Sequence, residues 1–202
     1  QQTGVSVSYK AAETRILATN CTILAGQGGV SGNGAYIYGT GDGSYFTNCR
    51  VTSAAGYGVL IDETPRRNIN YYAIGSVFTF RDSRIYGCRL DGYRRHEVDP
   101  DVPYASGPYV ILDRSQVTGN GASGTGGGVY MEMAQTDVES LKTMSLIATN
   151  SVIASNAQYG VFFNGMLDTP RGAAFAATLV NCTVADNGGN GFVGVSPESS
   201  GS

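Results

Sequence analysis

The chain of 202 residues holds 29 glycines and 13 tyrosines, no tryptophan, and only 14% charged residues. An ordinary globular chain has about a quarter charged residues and about half that glycine usage, so this composition speaks for many short strands joined by tight turns and against a helical bundle. The net charge of -3 argues against a general nucleic-acid binder, which would show a basic face, and no run of 18 apolar residues is present to cross a membrane as a helix.

Residues 1–13 read as a lead-in that supplies a strand and a turn, with no charged-then-apolar leader after Gln1. From Thr14 onward one element recurs six times: Thr14–Cys21, Asp42–Cys49, Ser76–Ser83, Pro108–Ser115, Met144–Ser151 and Phe175–Cys182. The closing residues are 28, 34, 32, 36 and 31 positions apart. Two residues beyond each stands a β-branched aliphatic: Ile23, Val51, Ile85, Val117, Ile153 and Val184. Five and three residues before the closing position the chain is mostly apolar, as in Ile16/Ala18, Phe78/Phe80, Val110/Leu112, Leu146/Ala148 and Ala177/Leu179. That alternation is the period of a strand with one face inward. It breaks once per repeat, at Asn20, Asn48, Asp82, Arg114, Asn150 and Asn181. Asn and Asp tolerate a left-handed backbone better than other non-glycine residues, so the pattern predicts strand, sharp bend, strand. The bend is expected to be buried, with its Asn side chains bonded to the coils above and below and a Cys/Ser ladder behind it.

A second motif follows about ten residues later: a glycine and an apolar run. It reads Gly58–Asp62, Gly160–Asn164 and Gly191–Val195, with Gly34–Tyr38 and Gly128–Glu132 displaced by four residues and Gly92–His96 aligned by its offset from Ser83. Three strands per repeat predict an all-β fold, a right-handed parallel β-helix of about six three-strand coils over residues 14–195, with a polar tail at 196–202. Long insertions at 62–75, 91–107, 132–143 and 165–174 are expected to gather on one face, often the binding face of a solenoid. Two of them share a Thr-Pro-Arg turn, Asp62–Arg66 and Asp168–Arg171, which suits a self-satisfied surface loop, with a ligand-binding rim as the alternative.

Several motifs have a plain structural reading. Asn20-Cys-Thr22 and Asn181-Cys-Thr183 match the N-glycosylation pattern, but a buried bend leaves no room for a glycan. Gly39–Ser44 and Gly119–Gly124 imitate phosphate loops without the lysine or the helix, and read as turns. The four cysteines form no C-x-x-C pair, so no zinc site and no other metal or cofactor is expected. Cys21 and Cys49 share a column on adjacent coils, where a disulfide is possible but a small buried residue is the simpler role. Cys88 lies off that ladder.

The Asn-Cys-Thr-Ile/Val run followed by Gly-x-Gly-Val resembles the repeat of the pectate-lyase-like superfamily across roughly residues 14–195. The resemblance implies a family of polysaccharide lyases, glycoside hydrolases, uronan epimerases, phage tailspikes and surface adhesins, with substrate lying along one outer sheet between long loops. Neither the Asn-Thr-Asp and Arg-Ile-Lys motifs of polygalacturonases nor a pectate-lyase calcium cluster is present.

The Gly-apolar strand is the sheet that precedes the insertions. With the residue after glycine inward, its first outward column is Tyr36, Leu60, Arg94, Tyr130 and Phe162. The second is Tyr38, Asp62, His96, Glu132 and Asn164; the same alignment points Arg95 inward. Aromatic faces at Tyr36, Tyr38, Tyr130 and Phe162 suit the C–H faces of sugar rings, with Arg94 and Asn164 as polar contacts. Asp62, His96 and Glu132 are the candidate catalytic residues. Asp62 and Glu132 fall two coils apart, roughly 9–10 Å, near the upper end of an inverting glycosidase pair at about 6.5–9.5 Å. His96 with Arg94 could instead act as base and carboxylate neutraliser in a uronan lyase. The expected function is polysaccharide processing or recognition by a secreted, cell-surface or virion protein, as a homo-oligomer or part of a longer chain. The alternative is a non-catalytic structural or adhesive solenoid; an ice-binding face would need a regular threonine array that these columns lack.

Overall fold

Six non-glycine residues that interrupt the apolar alternation carry a left-handed backbone: Asn20, Asn48, Asp82, Arg114, Asn150 and Asn181 have φ between +48° and +57°. The computed structural model describes residues 4–8, 15–25, 32–38, 43–63, 77–89, 91–97, 109–135, 143–167 and 174–195. These form a right-handed parallel β-helix with three sheets and no helix among the described residues.

The first sheet has seven strands: Val5–Ser8, Ala35–Tyr38, Val59–Glu63, Tyr93–Glu97, Val129–Gln135, Val161–Leu167 and Phe192–Val195. The second has six: Leu17–Thr19, Ser44–Thr47, Val77–Arg81, Tyr109–Asp113, Thr143–Thr149 and Ala174–Val180. The third, across the left-handed bend, has six short strands: Thr22–Ala25, Arg50–Ser53, Arg84–Tyr86, Gln116–Thr118, Val152–Ala154 and Thr183–Ala185. Val5–Ser8 pairs with Ala35–Tyr38, so part of the lead-in is the first rung of the first sheet.

The interior is a set of columns. Phe46, Phe78, Phe80 and Tyr93, all fully buried, pack their rings at 4.9–5.9 Å between centroids. Ser83, Ser115 and Ser151 form the small-residue ladder, each hydroxyl accepting the backbone N–H of the closing residue one coil earlier, Cys49, Ser83 and Ser115, at 3.0–3.1 Å. Glycine precedes each strand of the first sheet, and at every one but Gly191 the next coil approaches too closely for a side chain. A Cβ on Gly34 would lie 2.5 Å from the Gly58 carbonyl oxygen and 2.6 Å from a Val51 methyl.

Three expectations are corrected. The Asn bends face solvent: Asn20, Asn48, Asn150 and Asn181 are exposed, so burial does not argue against glycan attachment at Asn20 or Asn181. Polar contact at this corner includes Asn48 Nδ2 donating to Asn20 Oδ1 at 2.7 Å and Arg114 clamping Asp82 through two bonds of 2.7 and 2.9 Å. Ala177 and Leu179 keep the inward register of their column, paired with Leu146 and Ala148, yet are exposed on the last described rung. Cys88 does lie off the Cys/Ser ladder; it is fully buried and heads a second interior ladder with Asn120, Asn156 and Asn187 that was not anticipated. Burial pushes the Cys88 thiol up to about 12. All four cysteines are free thiols; Cys49 is buried as expected of a small interior residue, whereas Cys21 is exposed.

Candidate functional site

The first sheet positions the predicted residues through its register. Arg94 pairs with Leu60 on one side and Tyr130 on the other, and Tyr130 pairs with Phe162. In the next outward column Tyr38 pairs with Asp62, Asp62 with His96, His96 with Glu132 and Glu132 with Asn164. The offset that aligned Gly92–His96 therefore holds. Inward positions agree: Val59, Tyr93, Val129 and Val161 are fully buried. Arg95 occupies the register position of Ile61 and Met131. The side chains of Tyr38, Asp62, Arg95 and His96, and most of the four long insertions with both Thr-Pro turns, lie outside the described residues.

Arg94 is the centre of the described part of this face. Its guanidinium reaches Asp91 Oδ2 at 3.4 Å through Nη1 and Glu132 Oε2 at 3.5 Å through Nη2. Its Cζ lies 4.1 Å from the Tyr130 ring centroid and 5.4 Å from that of Tyr57. Burial works against the Arg94 charge, but Tyr57, Asp91, Tyr130 and Glu132 together hold its pKa above the ordinary arginine value. Glu132 is only 5% exposed and accepts from Asn164 Nδ2 at 3.2 Å; the same amide donates to the Tyr130 hydroxyl at 2.9 Å.

Asp91, Tyr57 and Tyr159 join this cluster and were not anticipated, Asp91 having been assigned to an insertion. All three directly precede the glycine of the Gly-apolar motif, at Gly58, Gly92 and Gly160, and that shared position is the signal that could have found them. Asp91 is 1% exposed and accepts from the Gly127 N–H at 2.7 Å and from the Tyr159 hydroxyl at 2.5 Å. The Tyr159 contact skips a coil, since Asp91 and Tyr159 flank Gly127 in the column. A Cβ on Gly127 would collide with the Tyr159 carbonyl oxygen and lie 2.5 Å from its ring, so the missing side chain makes the long reach possible. Desolvation raises the pKa of Asp91 despite the lowering contributions of Tyr159, Gly127 and Arg94; desolvation also raises that of Tyr159, with the neighbouring Asp91 adding to the rise.

The aromatic residues are stacked on each other. Tyr130 and Phe162 are near-parallel, with 5.4 Å between centroids and 13° between planes, and Tyr159 leans on Phe162 at 5.1 Å. Arg94 comes from the coil before Tyr130 and Phe162 from the coil after, so both faces of Tyr130 are covered. At Tyr130, therefore, no ring face is left open for the sugar stacking expected of it.

A family model described as a right handed beta helix region matches residues 3–199. No curated protein matches the chain, and no solved structure does. A model match across nearly the whole chain, together with three parallel sheets and a left-handed bend in every coil, establishes that the chain belongs to the right-handed β-helix family.

Proposed function

We propose that the outer face of the first sheet binds a polymeric carbohydrate and that the chain is a polysaccharide-processing or polysaccharide-recognising β-helix of a secreted, cell-surface or virion protein. The observation that carries this reading is the register row Asp62, His96, Glu132 and Asn164 on four consecutive strands. A row of acceptors and donors at about 4.8 Å spacing suits a glycan lying along the helix axis, where successive hydroxyls need partners of both kinds. In this reading Tyr36, Tyr38, Arg94, Tyr130 and Phe162 border the track. In turnover, Glu132 serves as base toward a water or hydroxyl, with Asp62 two rungs away as acid and His96 between them. The resemblance to pectate-lyase-like proteins points to a glycoside hydrolase or lyase.

The test is a panel of neutral and acidic polysaccharides, scored for binding and for oligosaccharide release. Asp62→Asn, His96→Ala and Glu132→Gln are each expected to cut affinity or turnover by at least about tenfold, the effect of losing one charge-assisted contact. Unchanged behaviour of all three variants would remove the row as the site.

One observation favours a second reading, a structural or adhesive solenoid. Glu132, Arg94, Asp91 and Tyr159 satisfy one another while Glu132 and Asp91 are almost fully buried, as a brace would. That reading predicts no glycan binding and loss of thermal stability alone in Glu132→Gln, with a native mass showing a homo-oligomer or a larger assembly.

A further inference from the structure

The charge state of the same face carries one step more, and it rests on reading that face as a glycan site. A pocket that recognises a uronate or a sulfate needs a cation at its mouth whose charge is not already balanced by the protein's own carboxylates. Among the described side chains of the cluster the cation is Arg94, and its two terminal nitrogens are engaged by Asp91 and Glu132 at 3.4 and 3.5 Å. Its flat face is covered as well, by Tyr130 at 4.1 Å. Composition points the same way. The two outward register columns of these strands hold two carboxylates, Asp62 and Glu132, against one guanidinium group, Arg94, with His96 in the row of Asp62 and Glu132. Asp91, at the entrance to the Tyr93–Glu97 strand, adds a further carboxyl group.

We propose that this face selects uncharged pyranosides and rejects glycans bearing carboxylate or sulfate, because its central cation is already shared between two buried carboxyl groups. A neutral sugar offers hydroxyls to Glu132, Asn164 and the Tyr130 oxygen without a charge to compensate. An acidic sugar would have to displace Asp91 or Glu132 from Arg94 and leave that group buried without its cationic partner, which disfavours the charged ligand. The uronan-lyase role for Arg94 as neutraliser of a substrate carboxylate is thereby disfavoured.

The experiment titrates the full chain with a neutral oligoglucan, a neutral oligogalactan and an oligogalacturonate at low and high salt, using calorimetry. Binding of a neutral ligand at least about tenfold tighter than the uronate, with little salt dependence, is the expected result. Asp91→Asn keeps the shape and the acceptor for Gly127 and Tyr159 but releases Nη1 of Arg94, so it should narrow the preference by raising uronate affinity severalfold. If that variant does not fold, Glu132→Gln, which releases Nη2, is measured by the ratio of uronate to neutral affinity instead. Tighter uronate binding in the wild type, abolished in Arg94→Gln, would overturn the selectivity while leaving the glycan site standing. An unchanged ratio in both charge-releasing variants would overturn the role given to Arg94. Absence of binding to every glycan would overturn the site itself and the selectivity with it.

Discussion

Asp91 meets one backbone N–H, one phenol and one guanidinium at 1% exposure, and burial still dominates its titration. Its folded pKa is raised, so the native state keeps this proton to higher pH than the unfolded chain does. Stability from this group is therefore complete below the ordinary carboxylate range and declines as pH rises through the elevated folded value. Thermal melts of wild type and Asp91→Asn between about pH 4 and about pH 7 should show that decline in the wild type and its loss in the variant. Equal slopes would mean that Asp91 does not titrate in this window. At this scale the sequence was readable where chemistry restricts the residue. Left-handed φ admits few side chains, so Asn20, Asn48, Asp82, Asn150 and Asn181 stood out, and Arg114 was placed by alignment with them. A second left-handed corner, at Gly87, Gly119, Ser155 and Asp186, was not recognised, because glycine is frequent throughout the chain and serine has no strong preference for that conformation.

The Asn ladder belongs to the scale of stacked elements. Asn156 Oδ1 accepts from both the backbone N–H and the side-chain amide of Asn120, at 3.1 and 3.0 Å, while Nδ2 donates to the Val117 carbonyl at 3.1 Å and to Asn187 Oδ1 at 2.9 Å. One amide thus links three coils at the corner that follows the third sheet. Asn156→Leu leaves the Asn120 N–H and the Val117 carbonyl without this partner in a dry interior, at about 1–3 kcal/mol for each orphaned group. Equilibrium urea unfolding should register a loss of that size or more, and a change below about 0.5 kcal/mol would show that water replaces the amide. The ladder escaped the sequence reading because Cys88 stands in the Asn column. Its register was set by the Cys/Ser ladder and the aliphatic two residues on, whereas the Asn column lies three residues further, past the second corner. The outer columns were legible by contrast. The Gly-apolar motif, with the Gly92–His96 run aligned by its offset from Ser83, placed Asp62, His96 and Glu132 on neighbouring strands. The Asp91–Tyr159 contact was not legible, because it joins residues 68 positions apart across an intervening coil that lacks a side chain.

Across the whole molecule, every paired strand bonds only to the coil before and the coil after. Stability in such an array is close to a sum of coil and interface contributions. The ring cluster of Phe46, Phe78, Phe80 and Tyr93 sits in neighbouring coils rather than throughout. Phe78→Ala should cost about 3–5 kcal/mol, and the damage should stay near its origin. Hydrogen exchange is expected to accelerate in Ser44–Thr47, Val77–Arg81 and Tyr109–Asp113, with slow exchange retained in Val152–Ala154 and Val161–Leu167. Uniform acceleration along the chain would show that the coils unfold as one unit.

The reach of Tyr159 over Gly127 to Asp91 has a mechanical consequence. A solenoid pulled along its axis would ordinarily yield one interface at a time, each rupture bearing the full load in turn. A tie that spans two interfaces couples their failure: neither of the gaps flanking the Gly127 coil can open far without breaking the phenol–carboxylate bond. This stretch should therefore behave as a stiff segment, giving way in a single larger step where the rest of the array peels coil by coil.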